Sequence, residues 1–273
     1  QPCFPINSGN SATTRGPDAP SLTARQLDVL NPFDGERVGT VAMASVEQVQ
    51  RAIDGQPDDV TGPLLDPILK PLYAAYADGL PAAAHAALGG LDIVVNNAGI
   101  SISKSIAEHT LEEWDRLYDI LVKGQFIVSK AGIEVMRKQG FGGDIVNIVS
   151  KNAVVAGPNN PGYGSAKAAQ AHLTRLMAAE LGADKIRVNT VNPDAVISDS
   201  NIWSGGWAEG RAKAYGITVA ELPAYYAGRT LLNEIILPED IANACFAYVG
   251  GLLNKTTGNV INVDGGIAVS FVR

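Results

Sequence analysis

The stretch LDIVVNNAG, residues 91–99, is a short apolar run that ends in asparagine and glycine. A run of this length followed by turn residues is typical of a strand that is buried on both faces of a parallel sheet. The same pattern recurs in GGDIVNIVS (142–150), KIRVNTVNP (185–193) and GNVINVDGG (258–266). These four segments predict four strands of one sheet.

Segments with helical features lie between the predicted strands. Thr110 and Glu113 form a capping-box signature, residues 164–181 are rich in alanine with leucines along one side, and Pro238 suits the first position of a helix. Strands that alternate with helices predict a parallel sheet covered by helices on both faces. We therefore predict an α/β fold with an open, doubly wound sheet.

The N-terminal third of the chain has a different character. Residues 1–21 are rich in Pro, Gly, Ser and Asn without an apolar period, which predicts a flexible tail. Residues 27–53 predict a strand, a turn at Asp34-Gly35, a second strand and the start of a helix. The chain therefore divides into a tail, an atypical segment at 22–90 and a regular α/β part at 91–273.

Composition excludes several classes of protein. A hydrophobic content of 46% with 18% charged residues argues against disorder. The net charge of −7 argues against a nucleic-acid partner or an anionic membrane surface, and we expect no membrane span because no apolar run reaches about 18 residues. Two cysteines, Cys3 and Cys245, are too few for a disulfide framework and predict a cytoplasmic protein. His85, His109 and His172 are scattered, so we expect no metal site.

Three residues suggest the chemistry. Tyr163 and Lys167 are four residues apart at the start of a predicted helix, so both project from one face of one turn. A nearby ammonium lowers the pKa of a tyrosine from its usual value of about 10. Ser150 follows a predicted strand at the edge where such sheets bind ligands, and its hydroxyl can hold a carbonyl oxygen. The spacing Tyr-x-x-x-Lys alone is common in helices, but the ordered set predicts proton transfer coupled to hydride transfer with a nicotinamide.

The combined motifs resemble the short-chain dehydrogenase/reductase family over residues 91–268. The resemblance implies a Rossmann-like fold, NAD or NADP as the cofactor and a small-molecule substrate. It implies that Ser150 orients the substrate carbonyl, that Tyr163 is the general acid and base, and that Lys167 lowers the pKa of Tyr163 and holds the nicotinamide ribose.

The resemblance also implies the residues that line the cofactor. The adenine side would be lined by Asn96, Asn97, Ala98 and Gly99, and the nicotinamide side by the segment from Pro193 to Val196. Because helices such as 110–131 and 161–181 commonly pair between subunits in this family, the resemblance implies a homo-oligomer.

A narrower resemblance concerns the substrate. Residues 150–160 and 192–217 are similar to the dehydrogenase part of bifunctional rhamnulose-phosphate aldolase/alcohol dehydrogenases. This implies that the substrate is an aldehyde or polyol from deoxysugar breakdown, and lactaldehyde is the first candidate. Residues 198–237 then fit a segment that covers the substrate, because long connections often act as lids. They fit equally well a surface helical hairpin whose aromatic side chains pack on the body of the protein.

Two features depart from the family pattern. Members begin with a strand and a glycine-rich T-G-x-x-x-G-x-G loop that holds the cofactor pyrophosphate, but no such motif precedes Leu91. Residues 27–53 instead resemble the N-terminal segment of aldehyde dehydrogenases, so the usual first strands are missing or replaced. Leu121 occupies the position of an asparagine that anchors a water in the family's proton relay, and a leucine side chain cannot hydrogen-bond water.

We therefore expect an NAD(P)-dependent oxidoreductase that acts on a small hydroxy or carbonyl compound. The alternative is a truncated or chimeric, non-catalytic remnant that retains only the fold and subunit association. A genuine aldehyde dehydrogenase is disfavoured because Cys3 and Cys245 lie outside any recognisable nucleophile motif. The sequence does not choose between NAD and NADP, because the strand end that usually carries the ribose discriminator is not identifiable.

Overall fold

The computed structural model describes residues 25–30, 37–43, 89–197 and 207–271 of the chain, together with His85. The chain divides into two compact units, Gln1–Gly55 and Gln56–Arg273. Each unit is described by itself below.

The first unit contains a β-hairpin. Strand β1 (Arg25–Leu30) pairs antiparallel with β2 (Arg37–Met43), and the register shifts between Val29 and Leu30. This pairing confirms the two predicted strands. The predicted turn at Asp34-Gly35 and the predicted helix start after β2 lie outside the described residues.

The second unit contains the alternating strands and helices predicted from the apolar runs. In chain order its elements are β3 (Ile93–Asn96), α1 (Leu111–Tyr118), a π-helical turn (Asp119–Lys123), α2 (Gly124–Gln139), β4 (Gly143–Ile148), a 3-10 turn (Lys151–Ala153), α3 (Pro161–Leu181), a 3-10 turn (Gly182–Asp184), β5 (Ile186–Pro193), α4 (Trp207–Tyr215), a 3-10 turn (Val219–Glu221), α5 (Leu222–Ala227), α6 (Pro238–Val249), β6 (Val260–Val263) and a 3-10 turn (Ala268–Ser270).

The sheet of the second unit is parallel, with strand order β3-β4-β5-β6. Adjacent residues of β4 point to opposite faces, as the strand geometry requires. Ile145 packs in a core cluster with Met136 of α2 and Leu181 of α3, whereas Val146 packs with Tyr248 of α6. Helices therefore cover both faces, which confirms the predicted doubly wound α/β sheet.

Strand β3 forms one edge of this sheet among the described residues. Its only described partner is β4, and its side chains Ile93 and Val95 are 37% and 36% exposed. The hairpin strands β1 and β2 form a two-stranded sheet of their own. Within the described part of the chain, the first strands that the family pattern would supply are therefore not found beside β3.

Local sequence signals set several helix boundaries. Helix α1 begins with a reciprocal capping box, in which the backbone amide of Glu113 donates to Oγ1 of Thr110 (3.2 Å) and the amide of Thr110 donates to Oε2 of Glu113 (3.1 Å). Helix α6 begins at Pro238 as predicted. Helix α3 begins at Pro161 rather than Gly164, because the fixed φ of proline suits the first helical position. Tyr163 consequently lies in the first turn of α3.

The last predicted strand is shorter than the apolar pattern suggests. Strand β6 covers Val260–Val263 rather than residues 258–266, because Gly258, Gly265 and Gly266 all have positive φ angles that break the extended backbone. None of the described helices combines the length and the apolar character needed to cross a lipid bilayer.

Candidate active site

The carboxyl ends of β4 and β5 and the first turns of α3 meet at one place in the second unit. Ser150 follows β4, while Tyr163 and Lys167 lie on α3. The three residues are nearly buried, with 6%, 9% and 4% of their surface exposed. The structure thus brings together the three residues predicted to carry the chemistry, at the sheet edge where open α/β folds bind their ligands.

Ser150 is held by its neighbours in a fixed orientation. Its backbone amide donates to Oδ1 of Asn192 on β5 (3.3 Å), and its Oγ accepts a hydrogen bond from the amide of Asn152 (3.2 Å). The Ser150 side chain also hydrogen-bonds the Tyr163 hydroxyl and favours the ionised form of that phenol. A hydroxyl held in this way can hold the oxygen of a carbonyl substrate next to Tyr163.

Lys167 lies one helical turn after Tyr163, on the same face of α3. Its Nζ is 5.6 Å from the centroid of the Tyr163 ring and donates a hydrogen bond to the carbonyl oxygen of Ile148 (3.0 Å). The lysine therefore reaches the end of β4 beside the phenol, as the four-residue spacing predicts.

The pKa values of the pair are governed by burial. Burial raises the pKa of Tyr163 to about 12; the hydrogen bond from Ser150 opposes this shift and the charge of Asp194 adds to it. Burial lowers the pKa of Lys167 to about 7, so this lysine is only partly charged at neutral pH. Burial thus keeps the pKa of Tyr163 above its usual value of about 10, and the lowering of that pKa by Lys167 stays a prediction.

Leu121 lies in the π-helical turn beside this site and is completely buried. Its side chain packs in a cluster with Leu117 and Tyr163, and its carbonyl oxygen accepts a hydrogen bond from Nε2 of Gln170 (2.7 Å). Single π-helical turns are frequent at functional sites. At the position where a polar relay residue would be expected, the chain thus has an apolar side chain and a carbonyl that is already hydrogen-bonded.

The segment after β3 divides between the interior and the surface. The side-chain amide of Asn96 donates to Oγ of Ser129 (2.9 Å) and to Oδ1 of Asn147 (2.7 Å), so Asn96 ties β3 to α2 and β4. Asn97 and Ala98 are exposed. A Cβ atom on Gly99 would lie 3.3 Å from Cδ2 of Leu121 and 3.9 Å from Nζ of Lys167.

These positions bear on the predicted cofactor site. Exposed Asn97 and Ala98, with Gly99 next to Lys167, leave a surface against which a nicotinamide nucleotide can lie, whereas Asn96 supports that surface from below. The residues present fit the nicotinamide-ribose end of NAD or NADP. They give no pyrophosphate loop, because the chain has no glycine-rich motif before Leu91.

The chain bends sharply where β5 ends at Pro193. Ala195 has a φ of 39°, in the left-handed region that favours glycine, and such strained residues cluster at ligand sites. Pro193 and Val196 are both partly exposed at this bend. A small cleft of about 10 Å³ lies at this bend, and it is lined by Asp194, Ala195, Ile197, Tyr226, Ala227, Thr230, Glu234, Ile235 and Ile236.

Sequence reasoning missed one feature of the site, a buried ion pair. Nζ of Lys151 lies 3.0 Å from Oδ2 of Asp194, and the two side chains are only 7% and 9% exposed. Lys151 directly follows Ser150, after the carboxyl end of β4, and Asp194 directly follows Pro193, the last residue of β5. The sequence did carry a signal for this pair, a charged residue close after each of two buried strands. Since charged side chains are almost never fully buried unless paired, two such residues at neighbouring strand ends suggest an ion pair.

The segment at 207–227 forms a small helical layer whose aromatic rings pack mainly on one another. The rings of Tyr215 and Tyr225 stack with centroids 4.4 Å apart, and Tyr226 packs edge-on against both. Arg229 lies over the Tyr226 ring at 5.1 Å. Tyr226 also lines the cleft, so this helical layer both packs its own aromatic side chains and forms one side of the cleft. Trp203 lies outside the described residues.

A metal ion has no evident place in the described part of the chain, which contains no group of three His, Cys, Asp or Glu side chains arranged to hold one.

A family profile described as enoyl-(acyl carrier protein) reductase matches residues 75–268. The chain is 46% identical over 187 residues to the uncharacterized oxidoreductase YuxG of Bacillus subtilis (strain 168). That match covers 68% of this chain but only 27% of YuxG, and the next two curated relatives are each matched over 65% of their length.

Two solved structures share the fold over most of the chain. Sorbitol-6-phosphate 2-dehydrogenase SrlD from Erwinia amylovora is 27% identical with a TM-score of 0.67, and the match covers 71% of this chain and 75% of SrlD. A short chain dehydrogenase from Mycobacterium paratuberculosis bound to NAD is 29% identical with a TM-score of 0.64, and covers 72% and 71%.

Proposed function

The chain belongs to the short-chain dehydrogenase/reductase family, and from this premise we propose that it is an NAD(P)-dependent oxidoreductase that interconverts a small hydroxy compound and the corresponding carbonyl compound. The observation that carries the proposal is the meeting of Ser150, Tyr163 and Lys167 at the carboxyl edge of a parallel sheet.

In the direction of reduction, Tyr163 donates its phenolic proton to the carbonyl oxygen of the substrate. A bound NAD(P)H would supply the hydride that the carbonyl carbon needs to become an alcohol carbon. Ser150 holds the same oxygen and stabilises the charge that develops on it. Because burial raises the pKa of Tyr163 to about 12, the phenol carries its proton at neutral pH, as this direction requires.

Lys167 has a separate role beside the phenol. Its Nζ lies near both the Tyr163 ring and Gly99, and from there it would bind the hydroxyls of the nicotinamide ribose. Pro193 and Val196 would border the nicotinamide, while Asn97, Ala98 and Gly99 would contact the nucleotide and Asn96 would support them. The residues present do not discriminate between NAD and NADP.

For the substrate we propose a small sugar-derived hydroxy or carbonyl compound, such as lactaldehyde or a polyol. Two observations support this class. Residues 150–160 and 192–217 are similar to the dehydrogenase part of bifunctional rhamnulose-phosphate aldolase/alcohol dehydrogenases, and SrlD, which shares the fold, is named for sorbitol 6-phosphate. The resemblance of residues 27–53 to aldehyde dehydrogenases adds no activity to this proposal.

We further propose a cytoplasmic homo-oligomer. Phe126 on α2 and Leu176 on α3 are 51% and 55% exposed, and large exposed apolar side chains on neighbouring helices favour association between copies. The acidic net charge of −7 gives no support for a nucleic-acid partner.

A second candidate is a non-catalytic remnant, which the absence of a glycine-rich loop favours. Charge-assisted contacts to a pyrophosphate are each worth about 1.5–3 kcal/mol, so losing two or three weakens cofactor affinity by orders of magnitude.

Calorimetric titration of the purified chain with NADH and NADPH separates the two candidates. The oxidoreductase shows saturable binding of one cofactor and oxidises it when lactaldehyde or a simple hydroxyketone is added. A folded protein that shows neither binding nor turnover is the remnant.

A further inference from the structure

The buried ion pair of Lys151 and Asp194 joins two residues that directly follow predicted site residues, Ser150 and Pro193. Lys151 lies after the end of β4, and Asp194 lies after the end of β5. Because β4 and β5 are adjacent parallel strands, both residues belong to the ligand-binding edge of the sheet. Nζ and Oδ2 are 3.0 Å apart, with both side chains more than nine-tenths buried.

Stability alone does not explain this pair. Removing two charges from water costs several kcal/mol each, and apolar residues of similar volume are often equally stabilising. The ion pair of Asp144 and Arg187, near the amino ends of the same strands, has a clear structural role. Arg187 also donates to the carbonyl oxygens of Tyr248 and Leu253, and it therefore links separate elements. The Lys151–Asp194 pair therefore invites a functional explanation.

Asp194 lies close to the predicted proton donor, because its charge raises the pKa of Tyr163. It also borders a small cleft of about 10 Å³ together with the apolar side chains of Ile197 and Tyr226. An ionised carboxylate can only accept hydrogen bonds. In an apolar wall it therefore favours a substrate group that donates one, and hydrogen bonds to a charged acceptor are stronger than those between neutral groups.

We propose that the Lys151–Asp194 ion pair makes the site selective for substrates that carry a hydroxyl group on the carbon next to the reacting carbonyl. The substrate hydroxyl donates to Asp194 while the carbonyl oxygen lies between Ser150 and Tyr163. Lys151 fixes the orientation of the carboxylate through the 3.0 Å contact. A ketone without this hydroxyl offers the Asp194 carboxylate no hydrogen-bond donor, and it therefore binds less tightly. This inference rests on the proposed oxidoreductase function and names the substrate class of that site.

The test compares two compounds that differ by one hydroxyl, 1-hydroxy-2-butanone and 2-butanone, as substrates with saturating NADH or NADPH. The wild-type kcat/KM should favour the hydroxyketone by about ten- to a hundredfold, the range expected for one hydrogen bond to a charged group. The double variant Lys151→Met/Asp194→Leu, which leaves no unpaired buried charge, should bring the ratio close to one. The control Arg137→Gln/Asp184→Asn removes an exposed ion pair of 2.7 Å and should keep the wild-type ratio.

The outcomes separate this inference from the function on which it rests. A wild-type ratio near one, or an unchanged preference in the folded double variant, overturns the role of the ion pair and leaves the oxidoreductase intact. Absence of turnover with either ketone overturns the proposed function and this inference with it. If the double variant does not fold, the wild-type ratio alone decides, since selectivity below about tenfold contradicts a charge-assisted contact.

Discussion

The ammonium nitrogen of Lys167 lies 5.6 Å from the centroid of the Tyr163 ring, one helical turn away on α3. The same nitrogen is hydrogen-bonded to the carbonyl of Ile148, so the lysine is fixed between the sheet and the helix. Two ionisable groups buried this close together are typical of functional sites. Their burial lowers the stability of the fold, a cost that is common at active sites.

The buried Lys167 should make the stability of the fold depend on pH. Burial lowers its pKa from 10.5 to about 7, so between these values the unfolded chain binds a proton that the folded chain does not. The free energy of unfolding therefore falls as the pH is lowered from about 10 towards 7. In Lys167→Met this contribution disappears, and urea unfolding between pH 7.5 and 9.5 should show a flatter dependence than in the wild type.

The exposed Lys130 on α2 provides the control for this measurement. Lys130→Met should keep the wild-type slope of unfolding free energy against pH. Parallel slopes for Lys167→Met and the wild type would show that Lys167 keeps an ordinary pKa in the folded protein, contrary to its burial.

Two glycines that flank Tyr163 should respond differently to a methyl group. A Cβ on Gly162 would lie 2.7 Å from Cδ1 of Leu117 and would also collide with the ring of His109, whereas a Cβ on Gly164 would come no closer than 3.6 Å to the carbonyl oxygen of Asn152. Gly162→Ala should destabilise the protein by about 1–3 kcal/mol through overpacking. Gly164→Ala should be neutral or stabilising by up to about 1 kcal/mol, because alanine favours a helix.

Urea unfolding of both variants measures this difference. Equal stabilities would mean that α1 does not pack on the first turn of α3 as described, and the placement of Tyr163 would need revision.

The hydroxyl of Ser150 should contribute to the rate and little to folding. Ser150→Ala removes one donor to the carbonyl oxygen, for which a loss of about 10²–10³ in kcat is expected. Ser165→Ala is the matched control, because the Ser165 hydroxyl donates to the carbonyl oxygen of Pro161 within α3 (2.6 Å). Steady-state kinetics that show equal losses in the two variants would remove Ser150 from the mechanism.

Much of the second unit can be predicted from local sequence. The apolar runs locate the four parallel strands, and the capping box of Thr110 and Glu113 locates the start of α1, because these signals depend on a few neighbouring residues. The spacing of Tyr163 and Lys167 likewise fixes their common face on a helix. These features follow from backbone geometry and need no knowledge of the tertiary structure.

The electrostatics of the site could not be predicted in the same way. The sequence indicates that an ammonium and a phenol are neighbours, but it does not give their burial, which raises the pKa of Tyr163 and lowers that of Lys167. The contact of Lys151 with Asp194 depends on the pairing of β4 with β5, which brings together residues far apart in sequence. Such contacts are visible only once the register of the sheet is known.

The most direct test of the proposed chemistry is the rate of NAD(P)H oxidation with a small hydroxyketone by the wild type and by Tyr163→Phe, at equal cofactor saturation. The phenylalanine keeps the ring and removes the proton that the account assigns to catalysis. We predict turnover by the wild type and a fall in kcat of about 10²–10⁴ in the variant, with cofactor affinity and unfolding free energy unchanged. A variant that turns over as fast as the wild type would contradict Tyr163 as the proton donor.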